Sequence, residues 1–297
     1  MKKYYLLGIH ANPPQPIKWV YVCTPLLVLI AVYAMYSNVY LAENPNGKIV
    51  PSFAMMAKRV SELAFTVDPR THTYLLWADT VASVFRFVTG LLLASVTGLL
   101  LGMNIALFPA LQYISLPVIV ASSFVPMMAL LPILLIMVGI GDAAKISLIF
   151  LGVVFFITRD IYTTTKEIPQ ELLVKARTIG ASEVAMVYRI VLPMVMPRLL
   201  EVMRQSLGIA WWALIASEGI AATEGLGYRI FLVRRYFDMA AIIPYVAWIT
   251  ILAFALYHIL LYTEHVLYPW KNPDKESGVT GWVMDHARRL SHVLKTH

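Results

Sequence analysis

Apolar positions along the chain gather into six runs: Trp19 to Tyr40, Thr80 to Leu107, Leu111 to Val138, Lys145 to Thr158, Ser206 to Ala222 and Ala240 to Tyr262. A helix needs about 20 apolar residues to cross the roughly 30 Å hydrocarbon layer, so each run predicts one membrane span, the fifth a short one. Between the fourth and fifth lies the one long polar stretch with strong helix signals, Pro169 to Pro193. Pro169 suits the first turn of a helix, and Glu171 complements the positive end of the helix dipole. Leu172, Leu173, Ala176 and Ile179 then recur at spacings of three and four, with Glu171, Lys175 and Arg177 on the other face. Gly180 stops that helix where a left-handed residue costs least, and Ser182 before Glu183 starts a second. The pattern predicts two helices of about ten residues each hinged at Gly180, with Pro193 marking entry to the next span. An apolar stripe outside the bilayer requires a partner to bury it.

The runs carry internal detail. In the second, Gly90, Ala94, Gly98 and Gly102 recur every fourth residue, a ridge that allows close helix approach, and Arg86 sits one step before it. An arginine there faces protein, a water-filled cavity or, by snorkelling, the interface. Structural pairing and a part in anion passage are the alternatives. Pro117, Pro126 and Pro132 kink or break the third run. Because broken membrane helices are tolerated where backbone lines a cavity, the stretch from Phe124 through Pro126 to Pro132 is a candidate for the translocation path, with a packing kink as the alternative. In the fifth run, Glu218 is expected to pair with Arg229, Arg234 or Arg235, or else to gate the path. Trp211 and Trp212 lie mid-run, outside the usual interfacial belt, so at least one lines a helix interface or a pore. Phe53 to Phe65 reads as an amphipathic helix in an external connection, and residues 223–238 as an external loop.

Composition narrows the class. With 59% hydrophobic and 14% charged residues this is an integral membrane chain. The net charge of +7 is explained by loop orientation, not by nucleic acid, since no basic residues interleave with aromatics in a soluble module. Placing both termini and the 166–193 stretch in the cytoplasm puts fifteen Lys and Arg inside and eight outside, as the positive-inside rule demands. The fold class is therefore all-α with six transmembrane helices. Residues 1–18 form a cytoplasmic segment, 19–79 the first span and external connection, 80–268 the membrane core, and 269–297 a basic cytoplasmic tail. The single cysteine, Cys23, excludes an internal disulfide. His258, Glu264 and His265 invite a metal reading, but the two histidines, seven residues apart, lack a third convergent ligand. No phosphate loop exists, because Gly47-Lys48 has neither the upstream glycine nor the following hydroxyl, and no nucleophile elbow or zinc motif appears. An enzyme reading has no candidate site.

The polar stretch resembles the cytoplasmic loop of bacterial ABC-importer permeases, whose pattern is Glu-Ala-Ala, three residues, Gly, nine residues, Ile-x-Leu-Pro. Gly180 followed by Ile190, Leu192 and Pro193 matches the second half; Val174 and Lys175 depart from the first, where Ala176 alone fits. With IPQELLVKARTIGAS and AWWALIASEGIAATEGLGYRI, the likeness is to the nitrate, sulfonate, taurine and bicarbonate branch and covers about Thr80 to Leu260. It implies a homodimer in the bacterial inner membrane, two ATPase subunits that bind ATP and Mg, an external solute-binding protein, and a small oxyanion or organic anion as solute. By resemblance, Glu171, Lys175, Ala176, Arg177, Gly180, Ala181 and Ser182 form the ATPase-coupling element, with no cofactor in this chain. The contrasting reading, an ion-coupled secondary transporter acting alone, requires inverted repeats and several mid-membrane carboxylates or histidines, of which the sequence offers Glu218 and Arg86.

Overall fold

The computed structural model describes residues 15–45, 47–69 and 71–271, and these are helical apart from turns and one isolated bridge between Val67 and Tyr74. The helices are α1 (Gln15–Glu43), α2 (Phe53–Phe65), α3 (Leu75–Leu107), α4 (Pro109–Ser123), α5 (Met127–Val138), α6 (Asp142–Lys166), α7 (Gln170–Thr178), α8 (Glu183–Met186), α9 (Leu192–Ala221), α10 (Leu226–Arg234) and α11 (Met239–Leu267). The N-terminal segment up to residue 14 and the expected surface helix of the tail lie outside the described residues.

The chain divides into two compact units, one of residues up to 75 with 230–246, the other of 76–229 with residues from 247 onward. In the first, α1 is exposed along nearly all of its apolar length, the condition of a helix facing lipid. Its Tyr33 hydroxyl donates to the Pro51 carbonyl at 2.8 Å, tying down the chain that leads into α2. There Ser52 caps the helix by accepting from the Met55 N–H at 3.3 Å, and Arg59 bridges Glu62 and Asp238 at 2.9 and 3.1 Å.

The second unit is built on α6 and α9, packed antiparallel. Leu148, Ile149, Ile157 and Ile161 of α6 and Val195, Val202, Ala210 and Leu214 of α9 are completely buried. The small-residue ridge of α3 lies on α6. A methyl added at Gly98 would come within 2.7 Å of Ile157, and one at Gly102 within 2.7 Å of the Thr158 carbonyl, so the helices approach as closely as backbone permits.

Among the described residues four helices are long and apolar enough to cross a membrane: α1 from Cys23, α3, α6 and α11. The α4–α5 pair makes a fifth if counted as one span, bent by 102° at Phe124 to Pro126. Only one of the three prolines in that run sits at the break; Pro117 and Pro132 lie inside α4 and α5. Six apolar spans are thus not all evident by length and composition. The expected fifth, Ser206 to Ala222, is the distal part of the 30-residue α9, whose Arg198, Glu201, Arg204 and Glu218 dilute its hydropathy.

Two expectations are corrected. Residues 223–238 are not wholly a loop, since α10 forms within them. The second helix of the polar stretch does not stop before Pro193; α8 continues through a π-helical turn, Val187–Val191, into α9. In a regular α-helix the Pro193 ring would collide with the carbonyl four residues back, and the wider turn, in which the Leu192 N–H reaches the Val187 carbonyl, provides room.

Candidate functional site

The polar hairpin follows its local chemistry closely. Pro169 holds an extended conformation just before α7. Gly180 has φ +86°, and the Ala181 N–H donates to the Ala176 carbonyl at 3.0 Å while the Gly180 N–H donates to the Arg177 carbonyl at 2.9 Å, the paired bonds of a Schellman C-cap. Ser182 then caps α8 by accepting from the Ala185 N–H at 3.2 Å, and Arg177 reaches Glu183 at 3.3 Å across the turn. Ala176 is buried, whereas Glu171, Lys175, Arg177, Gly180 and Ser182 are exposed and Ala181 is half-buried. Of the predicted stripe, Leu173 and Ala176 turn inward, but Leu172 and Ile179 face out. Val174, Val184 and Tyr188 are exposed as well, and Ile179 is 87% exposed. Ile190 is half-buried and Pro193 exposed; Leu192 opens α9.

At the other end of α6 and α9 a charged cluster binds four elements. Arg86 is 2% exposed, and its guanidinium donates to Asp142 at 2.8 Å, to Glu218 at 2.8 Å, and to the carbonyl and carboxylate of Glu224 at 3.0 and 3.3 Å. Glu218 is fully buried, bonded also to the Ser83 hydroxyl at 2.8 Å and the Gly227 N–H at 2.9 Å. The first N–H groups of the α10 segment are shared out among side chains: Gly225 donates to Asp79 at 3.0 Å, Leu226 to Ser83 at 2.8 Å, and Gly227 to Glu218. Anionic and hydroxyl acceptors at a helix start satisfy its orphan donors and complement its dipole. Gly225 has φ +122°, and a methyl there or at Gly227 would run into Glu218. Arg229 meets Asp79 at 2.8 Å.

Arg86 and Glu218 are therefore brought together, and the partner expected for Glu218 is corrected: Arg86 takes that place, and Arg229 pairs with Asp79. The guanidinium donors of Arg86 are directed at protein oxygens. The other path candidates are elsewhere. Phe124 and Pro126 sit exposed at the α4–α5 break, and Met127 beside them lies against Gly152 in the middle of α6. Trp211 is buried, stacked on Phe87 with centroids 4.4 Å apart, while Trp212 is exposed.

The end nearest the hairpin holds a second set of ion pairs. Arg198 forks onto Asp160 at 2.6 and 2.7 Å and meets Glu201 at 3.1 Å. Lys271 joins Glu201 and Glu264 at 3.0 and 3.3 Å, and Arg204 closes on Glu264. This alternating chain ties α6, α9 and the end of α11 together. It also accounts for Glu264 without a metal, and the imidazoles of His258 and His265 face carbonyls of their own helix at 3.0 and 2.8 Å.

Sequence reading missed Asp79, Ser83, Asp142 and Glu224 as partners. The signal was present: Asp79, Ser83 and Arg86 follow at helical spacing directly before the Gly90 ridge, but Asp79 falls just outside a span begun at Thr80.

Residues 94–270 match the family model described as "Binding-protein-dependent transport system inner membrane component". The chain is 32% identical over 195 residues to the taurine transport system permease protein TauC of Escherichia coli (strain K12), covering 66% of this chain and 71% of that one. It is 31% identical over 119 residues to the putative aliphatic sulfonates transport permease protein SsuC of the same organism, 40% and 45% of the two chains. Among solved structures, a bacterial ABC transporter involved in alginate import aligns with TM-score 0.57 at 12% identity over 86% of this chain and 98% of that one. An inward-facing MetNI methionine ABC transporter aligns at 0.56 with 19% identity over 67% and 99%.

Proposed function

Because the chain belongs to the family of binding-protein-dependent transport system inner membrane components, we propose that it is the permease subunit of an ATP-driven importer in a bacterial inner membrane, coupled to its ATPases through α7. The observation that carries this reading is the hairpin itself. It is capped at both turns, lies between α6 and α9 in the chain, and leaves Leu172, Val174, Ile179, Val184 and Tyr188 exposed. Exposed apolar surface of this kind on a helix outside the membrane fits a groove on another protein.

In this reading α9 is the fifth of six spans. The ends carrying Arg198 and the hairpin are cytoplasmic, as are both termini, and the ends carrying Arg86 face outward, where a solute-binding protein docks. Two copies form the path, and each receives an ATPase subunit that holds ATP and Mg. Closure of the ATPases pushes α7, and the ion pairs joining α6, α9 and α11 carry that push to the spans as a rigid-body rocking between inward-open and outward-open states. The relatives named for taurine and aliphatic sulfonates favour a small sulfonate or similar organic anion as solute. The α4–α5 break places non-helical backbone beside the middle of α6, where it lines a path instead of meeting lipid.

The test is uptake into proteoliposomes. With the ATPase subunits and the solute-binding protein present, labelled taurine should accumulate only when ATP is supplied on the ATPase side. Accumulation by this chain alone, driven by a proton or sodium gradient, would replace the reading with that of a secondary transporter.

A further inference from the structure

A cavity of about 600 Å3 opens between the last turns of α6 and the first turns of α9, with Lys271 at its edge. Its charges fall into two groups. Asp160, Arg198, Glu201 and Lys271 are consumed in the ion-pair chain described above. Arg159 and Glu167 also line the cavity, and neither forms an ion pair among the described residues. Arg159 stands on α6 and Glu167 caps its C-terminal end, with Thr163 midway at steps of four residues, so these exposed residues share one face with about 12 Å of helix axis between the first and the last. The cavity therefore offers one uncommitted guanidinium, one uncommitted carboxylate and the Thr164 hydroxyl, with Phe156 and Met194 as apolar wall. An anion alone would leave Glu167 facing it, and a cation alone would leave Arg159. A molecule with an anionic head, a short apolar spacer and an ammonium satisfies both.

We propose that this cavity is a binding site for a small zwitterion, an amino-sulfonate or amino-carboxylate, whose anionic head takes Arg159 and whose ammonium takes Glu167, and that its occupancy slows the transporter. The braking part rests on the proposed function, which makes this face cytoplasmic. Glu167 is the residue at which α6 ends, and Met194 and Arg198 belong to the start of α9, so the cavity lies between the two feet of the hairpin. A ligand wedged there stabilises the spacing of those feet that admits it and opposes the movement that α7 must transmit. Solute accumulated inside would thus restrain further import.

Two measurements test this. In the first, binding of radiolabelled taurine to the purified full chain in detergent is measured with methanesulfonate and ethylamine as single-charge competitors. Saturable binding is expected, about tenfold or more weaker in Arg159→Gln and in Glu167→Gln, the loss of one charge-assisted hydrogen bond each. Both competitors should act more weakly than unlabelled taurine, and the melting temperature should stay unchanged. No saturable binding, or binding as tight as the parent's in both variants, overturns the site. So does a result in which Arg159→Gln lowers only the retention of anionic lipid. In the second, ATP hydrolysis by the full complex in proteoliposomes is followed with taurine on the ATPase side. Hydrolysis stimulated by the loaded solute-binding protein should slow in the parent and resist slowing in Arg159→Gln. Stimulated hydrolysis that ignores taurine in the parent overturns the brake. Absence of any stimulation contradicts the proposed function instead, and leaves the first measurement to judge the site.

Discussion

Glu218→Ala should remove about 3–5 kcal/mol from the stability of the folded chain, because it leaves a buried cation without its most deeply buried partner. Arg86 and Glu218 are 2% and 0% exposed, so water cannot replace what the substitution removes. Asp142 and Glu224 remain near Arg86, but they are 48% and 57% exposed and hold their charge largely for solvent. Alanine also strips the acceptor from the Gly227 N–H and one partner from Ser83, and an orphaned buried donor costs about 1–3 kcal/mol more. The start of α10 should come loose as a result. Thermal unfolding in detergent, with the yield of folded protein, provides the readout. Arg86→Met should be damaging in the same way, because Glu218 is then the uncompensated charge. The double variant Arg86→Met with Glu218→Gln should recover part of the loss: neither charge is left alone, and the glutamine carbonyl still accepts from Gly227. If the double variant is as unstable as the sum of its parts, the pair is not the unit of stability described here.

Gly180→Val should reduce ATP-dependent uptake by about tenfold or more while the membrane part stays folded. Space is not the issue, because nothing lies within 4 Å of a Cβ added at Gly180. The cost comes from φ +86°, which a side-chain-bearing residue holds at a penalty of about 1–2 kcal/mol, more for a β-branched one. The Schellman turn has only two backbone bonds to oppose that penalty, so it should open and release Ile179 from its position. Ala176→Glu attacks the same turn from inside: Ala176 is buried, and a carboxylate there would have to give up its hydration. Both variants should melt near the parent temperature, and complexes assembled with them should hydrolyse ATP without moving solute. Normal uptake in both would remove the hairpin from the mechanism.

Local signals along the chain foretold the hairpin far better than they foretold the charge cluster. Gly180, Ser182 and the Phe53 to Phe65 helix depend on neighbours within a few residues, so capping chemistry and periodicity were enough to locate them. Glu218 depends on residues more than 130 positions away; an isolated sequence offered Arg229, Arg234 and Arg235 as nearby cations, and the tertiary fold selected Arg86. The same holds for Asp160 with Arg198 and for Arg204 with Glu264, pairs that form only once α6, α9 and α11 come side by side. Pro193 does mark the entry to the next span, in the first turn of α9, but local signals gave no hint of the π turn that carries α8 into that helix without a break. The ridge of Gly90, Gly98 and Gly102 was legible as a close-approach surface, although nothing in the spacing indicated that α6 would be the helix received.

The central claim is that α7 stands in the cytoplasm and is gripped there by an ATPase, and labelling at Ile179 tests it most directly. With Cys23→Ser removing the single native thiol, Ile179→Cys should be unreactive to a membrane-impermeant maleimide in right-side-out vesicles. It should react in inside-out vesicles stripped of ATPase subunits and become protected when those subunits are added back. Reaction from the outside, or reaction from the inside that added ATPase leaves unchanged, would contradict it.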